Sequence, residues 1–481
     1  MPIDPGELAH AFKELADWAS QRAPVPEPAI RRRLREHLGT EPSELPVVAA
    51  EILPFDRPNF QVALDRYLAQ DGRESDLVGL SVMQGYRMGI AELAQPASAN
   101  GPPVPNPGSV EYETVAIGSN EVLCVKSGLW LVRDGEERSA VMLKQTDHGP
   151  MGEMLSLEVM ATDRAVAERA VGELRVLMDA LNVYRGKILT LSPSRRGNMS
   201  LSVASLPEIQ REQIVLPAGV LERIERHTIG FAERAQALRD AGRHLKRGLL
   251  LHGPPGTGKT LTAMYLSAQM PDRTVLLLTG GALHFIDQCV QLARSLAPSM
   301  VVLEDVDLVA TERGPYPGNP VLFALLNAMD GLAEDTDIIF VLTTNRPDVL
   351  EPALASRPGR IDQAIELPYP DADGRTRLIE LYGSGLRLEV DSIDTFVEQT
   401  DGTSPAFIRE LLRRAALGAP LAADGTLAVT DRELQWALDD LRQPSGALTL
   451  TFLGAGASGD GDDQPVPTAA PRYVTPPPRR L

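Results

Sequence analysis

Residues 253–260 read GPPGTGKT, and they lie between an apolar run, Leu249 to Leu251, and a helix-compatible run that begins at Lys259. A glycine-rich turn of the form GxxxxGK[ST] between strand and helix is a phosphate-binding loop, or P-loop. Gly253, Gly256 and Gly258 suit the turn because inward-facing N–H groups must approach phosphate oxygens that a Cβ would keep away. Lys259 is expected to reach the β- and γ-phosphates and Thr260 to hold Mg²⁺. Pro254, Pro255, Thr257 and Leu261 complete the expected contacts with a bound nucleotide, ATP.

Outward from the loop, residues 206–370 alternate strand and helix. Candidate strands are Leu249 to Leu251, Val275 to Leu278, Met300 to Leu303, Ile338 to Leu342 and Ile361 to Leu367. Nearly continuous apolar strands imply a parallel sheet covered on both faces. The expected fold is therefore α/β: a P-loop NTPase parallel sheet over 206–370 with a helical lid domain over 371–442. Before it come a helical N-terminal region (1–95), a Pro/Gly linker (96–109) and an α+β N-domain (110–205).

Leu8, Phe12, Leu15 and Trp18 recur at helical spacing in the first region, and Arg31, Arg32 and Arg33 read as a solvated helix face. The linker is dense in proline and glycine, which forfeit helical and ladder hydrogen bonds. A helix near 163–182 and a strand from Lys187 to Leu191 close the N-domain. Residues 443–481 cannot bury enough apolar surface to offset their ordering entropy and read as a disordered tail.

At 481 residues and 43% apolar composition, the chain is long enough for several cored domains. A net charge of −18 opposes a general affinity for nucleic acid, which draws on clustered Lys and Arg. Cys124 and Cys289 are too few for a disulfide framework or a zinc cluster, which points to a reducing cytoplasm. No apolar run reaches the ~18 residues of a membrane span, and the first residues lack the pattern of a secretory signal, so the expected location is the cytosol.

Four segments narrow the P-loop's meaning. Met300-Val301-Val302-Leu303-Glu304-Asp305 is an apolar strand ending in two acids, one placed for the Mg²⁺ shell, through water, and one for the attacking water. Thr343-Thr344-Asn345-Arg346-Pro347 ends the next strand in polar groups, with Asn345 positioned to orient water or sense the γ-phosphate. LEPALASRPGRID (350–362) carries Arg357 and Arg360 on a turn, where arginines can act in a neighbour's site. DGTSPAFIRELLRRAA (401–416) opens a helix of the small domain.

Over residues 210–442 the chain resembles the AAA subfamily of AAA+ ATPases, because GPPGTGKT, LLNAMDG (325–331), TTNRP and RPGR occur in that family's order and spacing. The resemblance implies a homo-oligomeric ring, usually a hexamer, that hydrolyses ATP with arginines from the next subunit and pulls or remodels a protein client through a central pore. It assigns Lys259 and Thr260 to ATP and Mg²⁺, Asn345 to sensor 1, and Arg357 and Arg360 to the fingers.

Two departures bear on the mechanism. The family's strand-end acids run Asp then Glu, whereas this chain has Glu304 then Asp305, so each carboxylate moves by about one bond. The same order, and IVLPAGVLERIERHTIGF (214–231), resemble the mitochondrial AAA group that translocates the Rieske iron–sulfur protein. Asp305 is read as the base and Glu304 as the Mg²⁺-side acid, with a site that binds ATP but barely turns it over as the alternative.

The other departure lies where the family carries an aromatic, an aliphatic and a glycine. This chain has Leu283-His284-Phe285-Ile286-Asp287, in which Phe285 either grips the client or packs beneath the following helix. His284 is read as a surface residue and Arg409 as facing solvent. A nucleotide-gated scaffold with little hydrolysis, and a nucleic-acid motor disfavoured by the acidic balance, are the competing functions.

Overall fold

The computed structural model describes Lys13 and residues 26–80, 88–97, 104–147, 153–193, 199–307, 324, 325, 327–329, 331, 336–348, 361–422 and 424–442. Leu8, Phe12, Leu15, Trp18, Arg357, Arg360 and the tail 443–481 lie outside the described residues. The chain divides into two compact units, one of residues 1–253 and 258–367 and one of residues 254–257 and 368–481.

The first unit opens with an antiparallel sheet of β1 (Val47–Ile52), β2 (Arg73–Leu80), β3 (Pro107–Gly108), β4 (Glu111–Ile117), β5 (Asn120–Asp134), β6 (Glu137–Asp147) and β7 (Glu153–Ala161). The order is β1-β7-β6-β5-β2-β3, with β4 paired to the first half of β5. The second half of β5 is buried on both sides. Trp130 and Val132 face helices Arg57–Leu68 and Arg164–Ala180, where Phe60 meets Trp130 edge to face at 6.1 Å. Leu129 and Leu131 face Ile30 and Leu34 of helix Ala29–Leu38. Helices on both faces explain why an antiparallel strand carries a continuous apolar run.

Residues 1–95, expected to be helical, thus contribute β1 and β2. Their partners lie on β5 and β7, far along the chain, and burial against those strands outweighs weak local alternation. The Pro/Gly stretch 96–109 runs between strands of one sheet rather than between domains, since Pro107 and Gly108 pair with Leu80 and Gly79. An edge is where a proline, lacking N–H, is tolerated. Gly79 is required there: a Cβ would sit 2.5 Å from the Gly108 carbonyl oxygen. Arg31 is not simply solvated either, because its guanidinium pairs with Glu27 and Glu41 and donates to the Ala94 carbonyl.

The second sheet comprises β8 (Ile188–Pro193), β9 (Met199–Ala204), β10 (Arg247–His252), β11 (Thr274–Leu278), β12 (Ser299–Leu303), β13 (Ile338–Thr344) and β14 (Gln363–Glu366), in the order β14-β10-β13-β12-β11-β8-β9. All neighbours are parallel except β8 and β9. The five expected strands are five consecutive neighbours, from the edge strand β14 to β11, and each residue of β12 and β13 is buried. β8, expected in the N-domain, instead extends this sheet along β11, with Ile188 opposite Val275 and Leu191 opposite Leu278.

The join between the two sheets is packed. Tyr184, 3% exposed, donates from its hydroxyl to the Phe55 carbonyl at 2.7 Å, and the Val183 N–H donates to Asn59 Oδ1 at 2.9 Å. Ile117 and Val115 of β4 share a core with Leu189 and Leu191 of β8.

The second unit holds helices Ala372–Tyr382, Ile393–Gln399, Pro405–Gly418 and Asp431–Arg442. Ser404 caps the third by accepting from the Phe407 N–H at 3.2 Å, with Pro405 in the first turn, where its missing N–H is harmless. The expected all-helical lid also contains a parallel strand pair, β15 (Leu386–Glu389) and β16 (Leu427–Thr430).

Candidate nucleotide site

Parallel strands bring their carboxyl ends to one edge, and ligands of α/β sheets bind beyond that edge. Here β10 runs into the P-loop, β12 into Glu304-Asp305-Val306-Asp307 and β13 into Thr343-Thr344-Asn345, with β13 lying between β10 and β12.

Gly253, Gly256 and Gly258 have φ of 144°, 76° and 97°, all in the region that disfavours side chains. At Gly253 a Cβ would stand 2.3 Å from the Leu367 carbonyl oxygen, because the loop leaves β10 hard against the chain after β14. The Thr257 hydroxyl donates to the Pro254 carbonyl at 2.9 Å and steadies the turn. Helix Lys259–Ala268 starts at once, so its first N–H groups and its positive dipole end face the phosphate side. Lys259 is 6% exposed, and its Nζ donates to the Gly253 carbonyl at 2.8 Å. Burial lowers its pKa to about 8, against the pull of Asp305 and Asp307 in the other direction.

The two strand-end acids diverge in environment. The Glu304 N–H continues the ladder by donating to the Leu278 carbonyl at 3.0 Å, and the Thr260 hydroxyl hydrogen-bonds to the Glu304 carboxylate. Asp305 turns toward β13, its N–H donating to Thr343 Oγ1 at 3.1 Å. Asn345 Nδ2 donates to Asp305 Oδ1 at 3.2 Å. Both carboxyls sit above their ordinary pKa, chiefly through burial, with Asp305 raising Glu304 and Asp307 raising Asp305. Asp305 also has φ of 50°, the one positive φ at a non-glycine among the described residues. That unusual backbone separates adjacent acids into two settings, one beside Thr260 and one beside Asn345.

Asp307 was missed by sequence reasoning. It is 6% exposed and accepts from the Thr344 hydroxyl at 2.8 Å and from the Asn345 N–H at 3.2 Å. The Thr344 hydroxyl in turn accepts from the Arg346 N–H at 2.9 Å. No local pattern marked it: its partners Thr344 and Asn345 lie on the neighbouring strand end, nearly forty residues along the chain.

The donor set suits a nucleoside triphosphate with a hard cation: glycine-rich backbone, a buried ammonium, a hydroxyl and carboxylates. Among the described residues no group of three or more His, Cys, Asp or Glu can hold a metal by itself. Thr260 and Glu304 fit Mg²⁺ that also takes phosphate oxygens.

The remaining expected positions divide. His284 is exposed, Arg409 is exposed, and Phe285 is half-buried at the end of a 3₁₀ turn, Gly280–Phe285, while its neighbours Leu283 and Ile286 fill the core. Arg357 and Arg360 lie outside the described residues. Cys124 and Cys289 are both buried.

Residues 249–369 match the family described as "ATPase family associated with various cellular activities (AAA)". The chain is 28% identical over 295 residues to a proteasome-activating nucleotidase of Pyrococcus horikoshii, covering 55% of this chain and 73% of that one. It is 33% identical over 278 residues to the ATP-dependent zinc metalloprotease FtsH 1 of Conexibacter woesei, covering 54% and 41%. A chloroplastic FTSH 2 of Oryza sativa subsp. japonica is 31% identical over 226 residues, covering 44% and 33%. The chain thus spans nearly three quarters of the nucleotidase and less than half of either metalloprotease.

Proposed function

We propose that this chain, an ATPase with an AAA domain over residues 249–369 that takes ATP with Mg²⁺, works as a homo-oligomeric ring, a hexamer, that remodels or translocates a protein client. The carrying observation is the division of the strand-end acids: Glu304 beside Thr260, Asp305 beside Asn345.

The mechanism follows from that division. Lys259 binds the β- and γ-phosphates, and the helix N-terminus after Gly258 orients them. Thr260 holds the cation, with Glu304 acting on its shell through water. Mg²⁺ held by Thr260 and Glu304 would supply positive charge to offset that of the phosphates. Asp305 orients the attacking water and accepts its proton, and its raised pKa suits a base working near neutrality. Asn345 holds Asp305 and the water in line. Arg357 and Arg360 from a neighbouring subunit stabilise charge on the transferred group, a contribution commonly worth ~10³–10⁵ in rate.

Likeness to a proteasome-activating nucleotidase and to FtsH supports a protein client. The Glu304-Asp305 order also supports a relation in the ATP site to the mitochondrial group that translocates the Rieske protein. A cytoplasmic location accords with the absence, among the described residues, of a helix long and apolar enough to cross a membrane. The antiparallel sheet with its helices, rather than residues 110–205 alone, is the client- or adaptor-recognition part.

Steady-state ATP hydrolysis across a wide range of protein concentration, with Lys259→Ala and Arg357→Ala beside it, tests this reading. Specific activity that climbs with concentration and is abolished by both substitutions is expected. Tight ATP binding with no turnover at any concentration overturns it in favour of a nucleotide-gated scaffold, the reading that the reversed acids favour.

A further inference from the structure

The antiparallel sheet ends at β1, whose only strand partner among the described residues is β7. Half of the backbone N–H and C=O groups of Val47–Ile52 therefore point away from the sheet, and no strand or loop backbone among the described residues pairs with them. A free edge of this kind is a template for another strand unless it is protected. Covering helices, lysines and prolines are the usual protection, and Val47-Val48-Ala49-Ala50-Glu51-Ile52 has neither lysine nor proline.

The same edge borders a cleft of about 390 Å³. Its apolar lining includes Leu53, Met178 and Leu292, and its polar lining includes Glu51, Asp56 and Asp179 against a single guanidinium, Arg175. Burial pushes the Asp56 carboxyl up to about 6, with the Asp179 charge adding to the effect. A cation seated there would relieve that penalty. On the far wall, Gln291, Leu292 and Ser295 belong to helix Ile286–Ser295, which follows the Leu283-His284-Phe285 turn. Arg185 ties this wall to helix Arg164–Ala180 by donating to the carbonyls of Asp179, Ser295 and Ala297 at 3.2–3.3 Å.

We propose that the free edge of β1 takes an extended, basic segment of another polypeptide as an additional strand, with alternate side chains of that segment entering the acidic cleft. Main-chain hydrogen bonds to β1 supply affinity without regard to sequence, and the cleft supplies preference for Lys or Arg flanked by apolar residues. A free strand edge beside an acid-lined cleft is the juxtaposition that carries this. It rests on the protein-client reading and names the chemistry of what is recognised. The occupied cleft would also touch the helix that follows the Phe285 turn, which gives client binding a route to the ATPase sheet.

The test uses the full-length protein and a fluorescent peptide alternating Lys and Thr with Val, followed by anisotropy. Saturable binding is expected. It should weaken about tenfold or more in the Glu51→Lys, Asp179→Lys double variant, since two attractive surface pairs become repulsive. A central proline in the peptide, or Glu in place of Lys, should weaken it comparably. A benzophenone on the peptide should cross-link to residues 47–53. Both substituted side chains are exposed, so basal ATP hydrolysis and circular dichroism are expected to be unchanged. Binding that is indifferent to the double variant, tolerates the central proline, or cross-links elsewhere overturns the docking site while leaving the ATPase reading intact. A chain without ATP turnover but with this binding pattern overturns the motor and keeps the site.

Discussion

The two seven-stranded sheets of this chain are covered by helices and have similar cores, yet only one gathers chemistry at a single edge. In the parallel sheet β10, β12 and β13 all end on the same side, so Lys259, Glu304, Asp305, Asp307 and Asn345 meet there. Strand direction in the antiparallel sheet alternates, so its strand ends scatter and no comparable cluster forms among the described residues. What it offers is lateral: the flank of β1 that no strand pairs among the described residues. Direction of pairing thus decides whether a sheet gathers its strand ends on one side or on both.

The sharpest way to break this comparison is to disable the parallel edge. Asp305→Asn keeps the shape and the Asn345 neighbour but removes the proposed base, so kcat should fall by ~10²–10⁴ while ATP binding, read by a fluorescent nucleotide, persists. Equal loss from Glu304→Gln with unchanged Mg²⁺ dependence would mean that the roles are reversed. Lys259→Ala should lower kcat by ~10²–10³ and weaken nucleotide binding as well.

Asp307→Asn sharpens the picture. With one charged acceptor for Thr344 and Asn345 gone, Asn345 loses its anchor and kcat should fall about tenfold at little change in nucleotide affinity. A matching loss of affinity would make Asp307 a general prop of the sheet rather than a positioner of Asn345.

The pH dependence follows from Lys259. Its pKa of about 8 lies below the ordinary 10.5, so the folded chain sheds this proton before the unfolded one does. Nucleotide affinity, followed by titration, should therefore decline as pH climbs through about 8. Across the window from about 8 to 10.5 the same group makes the folded state more stable, because the unfolded chain then binds more protons. Lys259→Met should flatten both trends.

The smallest effect probes the join. Tyr184→Phe removes the hydrogen bond to Phe55 and should lower stability by about 1 kcal/mol in urea unfolding, with one transition for both sheets. Separate transitions would show that the sheets fold independently.

Local pattern carries the reading of the nucleotide site because its parts are short and sequential. A glycine turn before a helix, an apolar strand ending in acids and a polar strand end each declare themselves within about ten residues. Asp307 escaped because its role depends on Thr344 and Asn345, and a pairing across strands leaves no mark on either segment alone.

From sequence alone came the P-loop, the parallel sheet around it, and Lys259, Thr260, Glu304, Asp305 and Asn345 as candidates for its chemistry. Backbone rules and residue chemistry act over a few neighbours, and those are visible in order along the chain. Tertiary structure alone decided that Val47–Ile52 and Arg73–Leu80 are strands, that Ile188–Pro193 extends the ATPase sheet, and that β1, with β7 as its strand partner among the described residues, borders an acidic cleft. Each of those depends on partners distant in sequence, whose burial overrides local propensity and is settled only when the chain closes on itself.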